Sequence, residues 1–414
     1  MAAWVHEHEA ELIDIRRDIH AHPEIGYDEH RTTALIADHL RSLGLEPRVF
    51  PSGTGVLCDI GTGQRAVALR ADIDALQVVD AKDVPYRSQH LGLCHACGHD
   101  VHTTALLGAA SALAAAAPGQ GRVRLIFQPA EEQLPGGAVE AVEIGAVADV
   151  GSVFALHCDP RLDVGTIGLR VGPVTAACDS VGVLLRGPGG HTARPQLTAD
   201  LVYTLGKIIV DVPGLLSRRV DPRAGLSLVW AAVSAGVAAN AIPQTGSLRG
   251  TVRMLDRAVW EDAGELIAQL IRDVVAPTGA EAEVEYERGV PPVVNEASGV
   301  EIQRQAVLAT LGPAGVTTTE QSMGGEDFAW MLAERPGALA RLGVRPQGYS
   351  GPPLDLHRGT FDVDERAIAI GANFMAQTAL AALSAESAES ALSAESAESA
   401  ESAESAESAE SAEH

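Results

Sequence analysis

Two hydrophobic periods alternate along the chain. Leu12, Ile15 and Ile19 recur at helical spacing among charged residues, and His22-Pro23 ends that helix. A second helix is expected over about 31–43, with Gly44 as its stop. Short apolar runs at 56–60 and 66–73 read as strands. From there the periods alternate: a helix over 101–117 closed by Pro118-Gly119, a strand over 122–127, a helix over 137–147 and a strand over 153–157. Strand–helix–strand alternation calls for crossover connections and a mostly parallel sheet covered on both faces.

The pattern changes near Gly172-Pro173. A strand over 180–186, a helix over 199–216, strands over 226–233 and 246–254, a helix over 258–275 and a strand over 282–287 follow. This β-α-β-β-α-β order is the ferredoxin-like split arrangement. Pro291-Pro292 then punctuates the chain, and mixed elements resume to Leu383. The predicted fold class is therefore α/β, with an inserted α+β unit. The expected boundaries are 1–173 and 290–383 for the two parts of the main domain, 174–289 for the insertion and 384–414 for a tail. In that tail Ser-Ala-Glu repeats every three residues, so its glutamates spiral around any helix and leave no apolar face. A solvated segment without a part in the chemistry is expected.

The 414 residues correspond to roughly two to three domains of about 150 residues each. Aromatics are only 4% against 46% apolar residues, so the core must be aliphatic and closely packed. Formal net charge is −25, and removing the nine glutamates of the tail leaves −16. That balance excludes the basic footprint of a nucleic-acid binder and attraction to anionic membranes. Five cysteines, an odd number, do not suggest a disulfide framework. The N-terminus lacks the apolar stretch of a signal peptide. The longest low-polarity run noted, 104–117, is shorter than the ~20 residues of a membrane span. A soluble cytoplasmic protein is expected.

Residues of metal-ligand type gather at the ends of predicted strands or just beyond them. Cys97 and His99 lie in HACGHDVHTT, Glu131-Glu132 follow RLIFQPA, His157 closes VFALH, and His357 lies in LDLHRGTFD. In an open parallel sheet, ligands bind outside the carboxyl ends of the strands. Taken singly each has a bland reading: a buried small thiol, solvated glutamates, satisfied core histidines. Together they converge. Cys97 and His99, two apart in an extended segment, point the same way. Of two adjacent carboxylates, one can bind a metal while the other takes a proton from water. In RADIDAL, Asp72 and Asp74 are either a turn after a strand or support for a ligating histidine, and Asp74 is the choice for fixing its tautomer. His102 is assigned only to the first turn of its helix. His191, after two glycines in GPGGHTARP, is either an idle surface histidine or part of a close approach to a ligand or a neighbouring chain.

These segments together resemble the M20 metallopeptidase family, in its aminoacylase, hippurate hydrolase and auxin-conjugate hydrolase branch. The matching segments are DIHAHPEIGYDEHRTT, ALRADIDAL, HACGHDVHTTALLGAA, FQPAEE with PGGA, ALHCDP, GPGGHTARP, ANAIP, GGEDFAWML and LHRGTFDVDE, running in order from about 14 to 376. The resemblance implies a catalytic domain holding two divalent metals and an inserted lid that mediates dimerisation. It implies Cys97, His99, Glu132, His157 and His357 as metal ligands, with Cys97 bridging, and Glu131 as general base. It implies His191 as the lid residue that reaches the partner's site, and Asn240 as a substrate contact. The sequence departs from the pattern at Gln77, at Val78-Val79-Asp80, and at Gln196 and Ser234, where relatives commonly carry histidine. None of these is a ligand position.

The chemistry suits the groups. A divalent metal lowers the pKa of bound water from about 15.7 toward ~7, and two such ions also polarise a carbonyl. Glu131 then moves the proton to the leaving amine. His191 can donate to the developing oxyanion. Arg253, in LRGTVRMLD, is the candidate partner for a substrate carboxylate. A mixed thiolate, imidazole and carboxylate set points to zinc or manganese and admits nickel or cobalt. The expected activity is metal-dependent cleavage of N-acyl amino acids by a cytoplasmic homodimer. A dipeptidase or carboxypeptidase of the same fold is the alternative. A cysteine hydrolase using Cys97 as nucleophile leaves Glu131, Glu132 and His357 unexplained, and a silent metal-binding protein leaves the intact Glu131 unexplained.

Overall fold

The structure, a computed structural model, describes residues 1–116 and 121–387. The repeats from residue 388 onward and the end of the expected 101–117 helix lie outside the described residues. An eight-stranded sheet forms the larger half. Its order is Arg48–Val49, Val56–Ile60, Gly121–Gln128, Arg65–Asp72, Ser152–Asp163, Gly337–Arg345, Ile167–Leu169, Val316–Thr318. The four strands from Gly121–Gln128 to Gly337–Arg345 are mutually parallel. Val56–Ile60 pairs antiparallel with Gly121–Gln128, so the sheet is parallel at its centre and mixed outside it.

Aliphatic side chains fill both faces. One layer is closed by the helices Glu9–Ala21, His30–Ser42, His99–Ala116, Ala297–Leu311 and Arg366–Ser387. The other is closed by Ala138–Glu143 and Ala329–Glu334. His99–Ala116 is buried along nearly its whole length, consistent with its run of alanine and leucine. By length and composition Arg366–Ser387 is long and apolar enough to cross a membrane, which the sequence reading overlooked. In this fold 61% of its apolar window is buried, with Ile368, Phe374 and Leu383 in the main core.

The second sheet is antiparallel, in the order Ser227–Ala235, Thr245–Met254, Ala177–Arg186, Glu281–Val290. The helices Leu201–Arg219 and Arg257–Val275 cover one face and share its separate core. Both helices start on an aspartate: the carboxylates of Asp200 and Asp256 accept the N–H groups of Tyr203 and Val259. The order of elements read from periodicity is the order observed. Three details differ. The strand expected over 153–157 continues to Asp163, because PRLD still pairs with Gly337–Arg345. The helix expected over 137–147 is only Ala138–Glu143. His99 is not in an extended segment but is the first residue of its helix, turned by Gly98 at φ +93°.

Candidate active site

Four chain segments converge at the carboxyl ends of the central strands. Asp72 ends Arg65–Asp72, with Asp74 two residues on. Ala130, at φ +53°, turns the chain after Gly121–Gln128 and is followed by Glu131 and Glu132. His157 lies within Ser152–Asp163. His357, at φ +58°, is fixed by its N–H donating to the Ala96 carbonyl at 2.8 Å, beside Cys97. Gly98 lies against Cys158: a Cβ there would stand 2.8 Å from the Cys158 sulfur.

The donor atoms cluster tightly. Cys97 Sγ is 3.5 Å from His157 Nε2, and His357 Nε2 is 3.2 Å from Glu132 Oε1. His99 Nε2 lies 3.9 Å from Glu131 Oε2 and 4.0 Å from Glu132 Oε1. Cys97, His99 and His157 form one group able to hold a cation, and Cys97, Glu132 and His357 form another. Cys97 belongs to both, the arrangement a bridging thiolate requires. His157 Nδ1 donates to the Cys158 carbonyl at 2.8 Å and His99 Nδ1 donates to Asp74 Oδ1 at 3.1 Å. Each ring therefore turns Nε2 toward the cluster. Asp74 Oδ2 also accepts the Glu132 N–H at 2.9 Å, so one carboxylate orients two of the candidate ligands.

The electrostatics call for cations. Burial and the neighbouring carboxylates of Glu326 and Glu132 push the Glu131 carboxyl well above its ordinary range. Burial, with Glu132 and Glu131 nearby, likewise pushes up the Cys97 thiol. Burial opposes charge on His99, but Asp72 and Asp74 push it up to about 10. Among the described residues, His99 Nε2 and Glu132 Oε1 are buried without a hydrogen-bond partner, the 3.2 Å approach of His357 to Glu132 lacking hydrogen-bond geometry. Unsatisfied donors amid surplus carboxylate are the signature of a site completed by divalent ions, whose binding displaces protons from such ligands.

Buried supports that the motif reading missed surround the cluster. Arg70 donates to Asp72 and Asp327 at 2.7 Å each and lies 3.1 Å from Glu326. His102, far from idle, bridges strands: Nδ1 donates to Asp72 at 2.6 Å and Nε2 accepts the Cys158 N–H at 2.8 Å. Below the Cys97 loop, Asp100 Oδ2 accepts from Arg16 and from His20, at 2.7 Å each.

A cavity of about 370 Å³ opens over the donors. Cys97, Glu131, Glu132, His157 and His357 line it, and Arg253 enters from the second sheet with Nη1 donating to the Met323 carbonyl at 2.5 Å. His191 and Asn240 do not join them. His191 lies on an exposed two-stranded ribbon opposite Ala241, Asn240 just precedes that strand with its carbonyl accepting the Thr192 N–H, and neither lines the cavity. Within one chain neither therefore contributes to the wall of the cavity.

This fold and donor set place the chain among metallohydrolases. It belongs to peptidase family M20/M25/M40, whose model matches residues 68–381. It is 36% identical over 378 residues to the N-acetyl-L-cysteine deacetylase of Bacillus subtilis, covering 90% of this chain and 88% of that one. It is 47% identical over 365 residues to a protein of Rhodococcus jostii named as a putative glutamate–cysteine ligase, but the match spans 88% of this chain and only 46% of that protein. A dinuclear metal-binding M20 peptidase from Bacillus subtilis superposes with a TM-score of 0.79 at 32% identity, over 91% of this chain and 98% of that one.

Proposed function

We propose that the protein is an N-acyl-amino-acid amidohydrolase. The observation that carries this reading is the grouping of Cys97, His99, Glu132, His157 and His357 around shared positions, with Glu131 facing the same cavity. The five side chains would hold two divalent ions, zinc or manganese first, with nickel or cobalt also compatible with the donors. Such ions supply Lewis acidity and a lowered water pKa. Glu131 takes a proton from the attacking water and hands it to the nitrogen as the carbon–nitrogen bond breaks. Asp74 holds His99 and the Glu132 backbone through both events.

The second sheet and its helices, 174–289, are assigned as an inserted lid between the two parts of a catalytic domain, 1–173 and 290–383. In a homodimer formed through this lid, His191 and Asn240 of one chain serve the site of the other, which accounts for their absence from the wall of their own cavity. All five cysteines are free, consistent with a reducing cytoplasm. N-acetylated small amino acids, cysteine included, are the first substrates to try, because the relative named above is a deacetylase of N-acetyl-L-cysteine. Dipeptides are the alternative within the fold.

The test is hydrolysis of N-acyl amino acids and dipeptides by the native, chelator-stripped and metal-restored protein and by Glu131→Gln. Activity lost with chelator, regained with Zn²⁺ or Mn²⁺ and absent from a metal-loaded Glu131→Gln is the expected outcome. Turnover that survives complete metal removal overturns this reading in favour of Cys97 as nucleophile.

A further inference from the structure

Arg341 is a buried cation without a partner among the described residues. It sits midway along Gly337–Arg345 between Ala340 and Leu342, and pairs in register with His157 on the neighbouring strand. It is 6% exposed, its Nε has no hydrogen-bond partner, and no described residue forms an ion pair with it. The carboxylates in its vicinity are already engaged. Glu326 stands 3.1 Å from Arg70, and Asp159 accepts from Arg161 at 2.8 Å. Yet Arg341 lines the cavity together with Cys97, Glu131 and His157. A desolvated charge without a counter-charge is costly, and a guanidinium is the side chain best shaped to grip a carboxylate.

We propose that Arg341 is the receptor for a carboxylate of the substrate. The inference rests on the amidohydrolase reading and refines it by naming the anchor. Arg253, the candidate taken from sequence, is less suited, since it already donates to the Met323 carbonyl. The carboxylate is either the α-carboxylate of the amino-acid half or one borne by the acyl half, and substrate choice separates these.

The experiment compares N-acetyl-L-methionine, N-acetyl-L-methioninamide and N-succinyl-L-methioninamide in the metal-loaded native enzyme, Arg341→Met and Arg341→Lys. The native enzyme is expected to favour a carboxylate substrate over the acetyl amide by about 100-fold in kcat/KM. Arg341→Met is expected to remove that preference through KM, changing the acetyl amide by no more than about 3-fold, and Arg341→Lys to restore part of it. Loss confined to the acetyl acid identifies the α-carboxylate, and loss confined to the succinyl amide identifies the acyl half. Metal content and melting temperature of Arg341→Met should not fall, because a buried unpaired charge is being removed. A parallel fall for all three substrates, or no change, overturns the proposal. Should the native enzyme cleave none of them, calorimetric titration of the acid and both amides into metal-loaded Glu131→Gln decides. Binding selective for a carboxylate and abolished by Arg341→Met supports the receptor even though the substrate reading has failed. Indifferent or absent binding refutes it.

Discussion

His20 shows how one buried side chain ties stability to pH. Its Nδ1 donates to Asp100 at 2.7 Å and its Nε2 lies 3.4 Å from Asp80. Burial opposes its charge, but Asp100 and Asp80 overcome that and push it up to about 10 from 6.5. A histidine raised on folding contributes stability that is complete below pH 6.5 and is lost as pH climbs through about 10. The contribution is on the order of 5 kcal/mol. Urea midpoints of the metal-free protein should therefore decline over that range, and in His20→Gln the decline should flatten. Equal slopes would show that His20 is neutral in the folded state. At this scale the sequence was most legible where chemistry was marked by rare residue types in distinctive strings, as with Cys97 in HACGHD or Glu131 in FQPAEE. It was least legible at Arg341, whose neighbours ALA and LGV read only as a core strand. The available signal was a lone arginine inside an apolar run, a buried cation in want of an anion.

Elements, rather than single residues, set the site's precision. Asp74 ties the end of one strand to the helix starting at His99 and to the turn carrying Glu132, so Asp74→Ala should weaken metal binding by about 10–100-fold. Competition with a fluorescent chelator measures this, and unchanged affinity would show that His99 keeps its orientation without Asp74. Close strand–strand packing is equally demanding. A Cβ at Gly337 would overlap the Val153 carbonyl on the neighbouring strand, so Gly337→Ala should cost about 2–3 kcal/mol and displace Arg341 and His157 together. A melting temperature and kcat/KM like those of the native protein would refute that coupling. Periodicity located these elements but not their ends. The apolar run stops at His157 while backbone pairing continues to Asp163, and the antiparallel placement of Val56–Ile60 leaves no mark on side-chain pattern.

At the scale of the whole molecule, the second sheet presents a free edge. Ser227–Ala235 is one of its two edge strands, with Val229 and Val233 exposed, and the adjoining helix exposes Val202, Tyr203 and Val210. Such an edge beside apolar surface invites pairing with a second copy. The native chain of 43.0 kDa should sediment as a dimer, and Val229→Lys with Val233→Lys as a monomer that has lost most turnover, because His191 no longer reaches a neighbouring site. A monomer of full activity would refute the shared-site arrangement. The two changes in the pattern of elements, near 172–173 and 291–292, are marked by Gly-Pro and Pro-Pro. The mutual approach of remote segments was not, since nothing local in GALARLGVR says it lies beside SVFALHCDP.

That pairing has a consequence for synthesis. Gly337–Arg345 lies between Ser152–Asp163 and Ile167–Leu169, yet the whole second sheet is translated between those two strands and it. While the nascent chain is extended, the second sheet and its helices can close their own core, but the main sheet waits with an open slot whose flanking strand bears unpaired N–H and C=O groups. The last-made strand carries Arg341 to the middle of the sheet, and His357 is made later still. A ribosome-bound intermediate therefore exposes a template for strand addition and no finished reaction centre, so premature termination yields sticky fragments rather than stray hydrolytic activity.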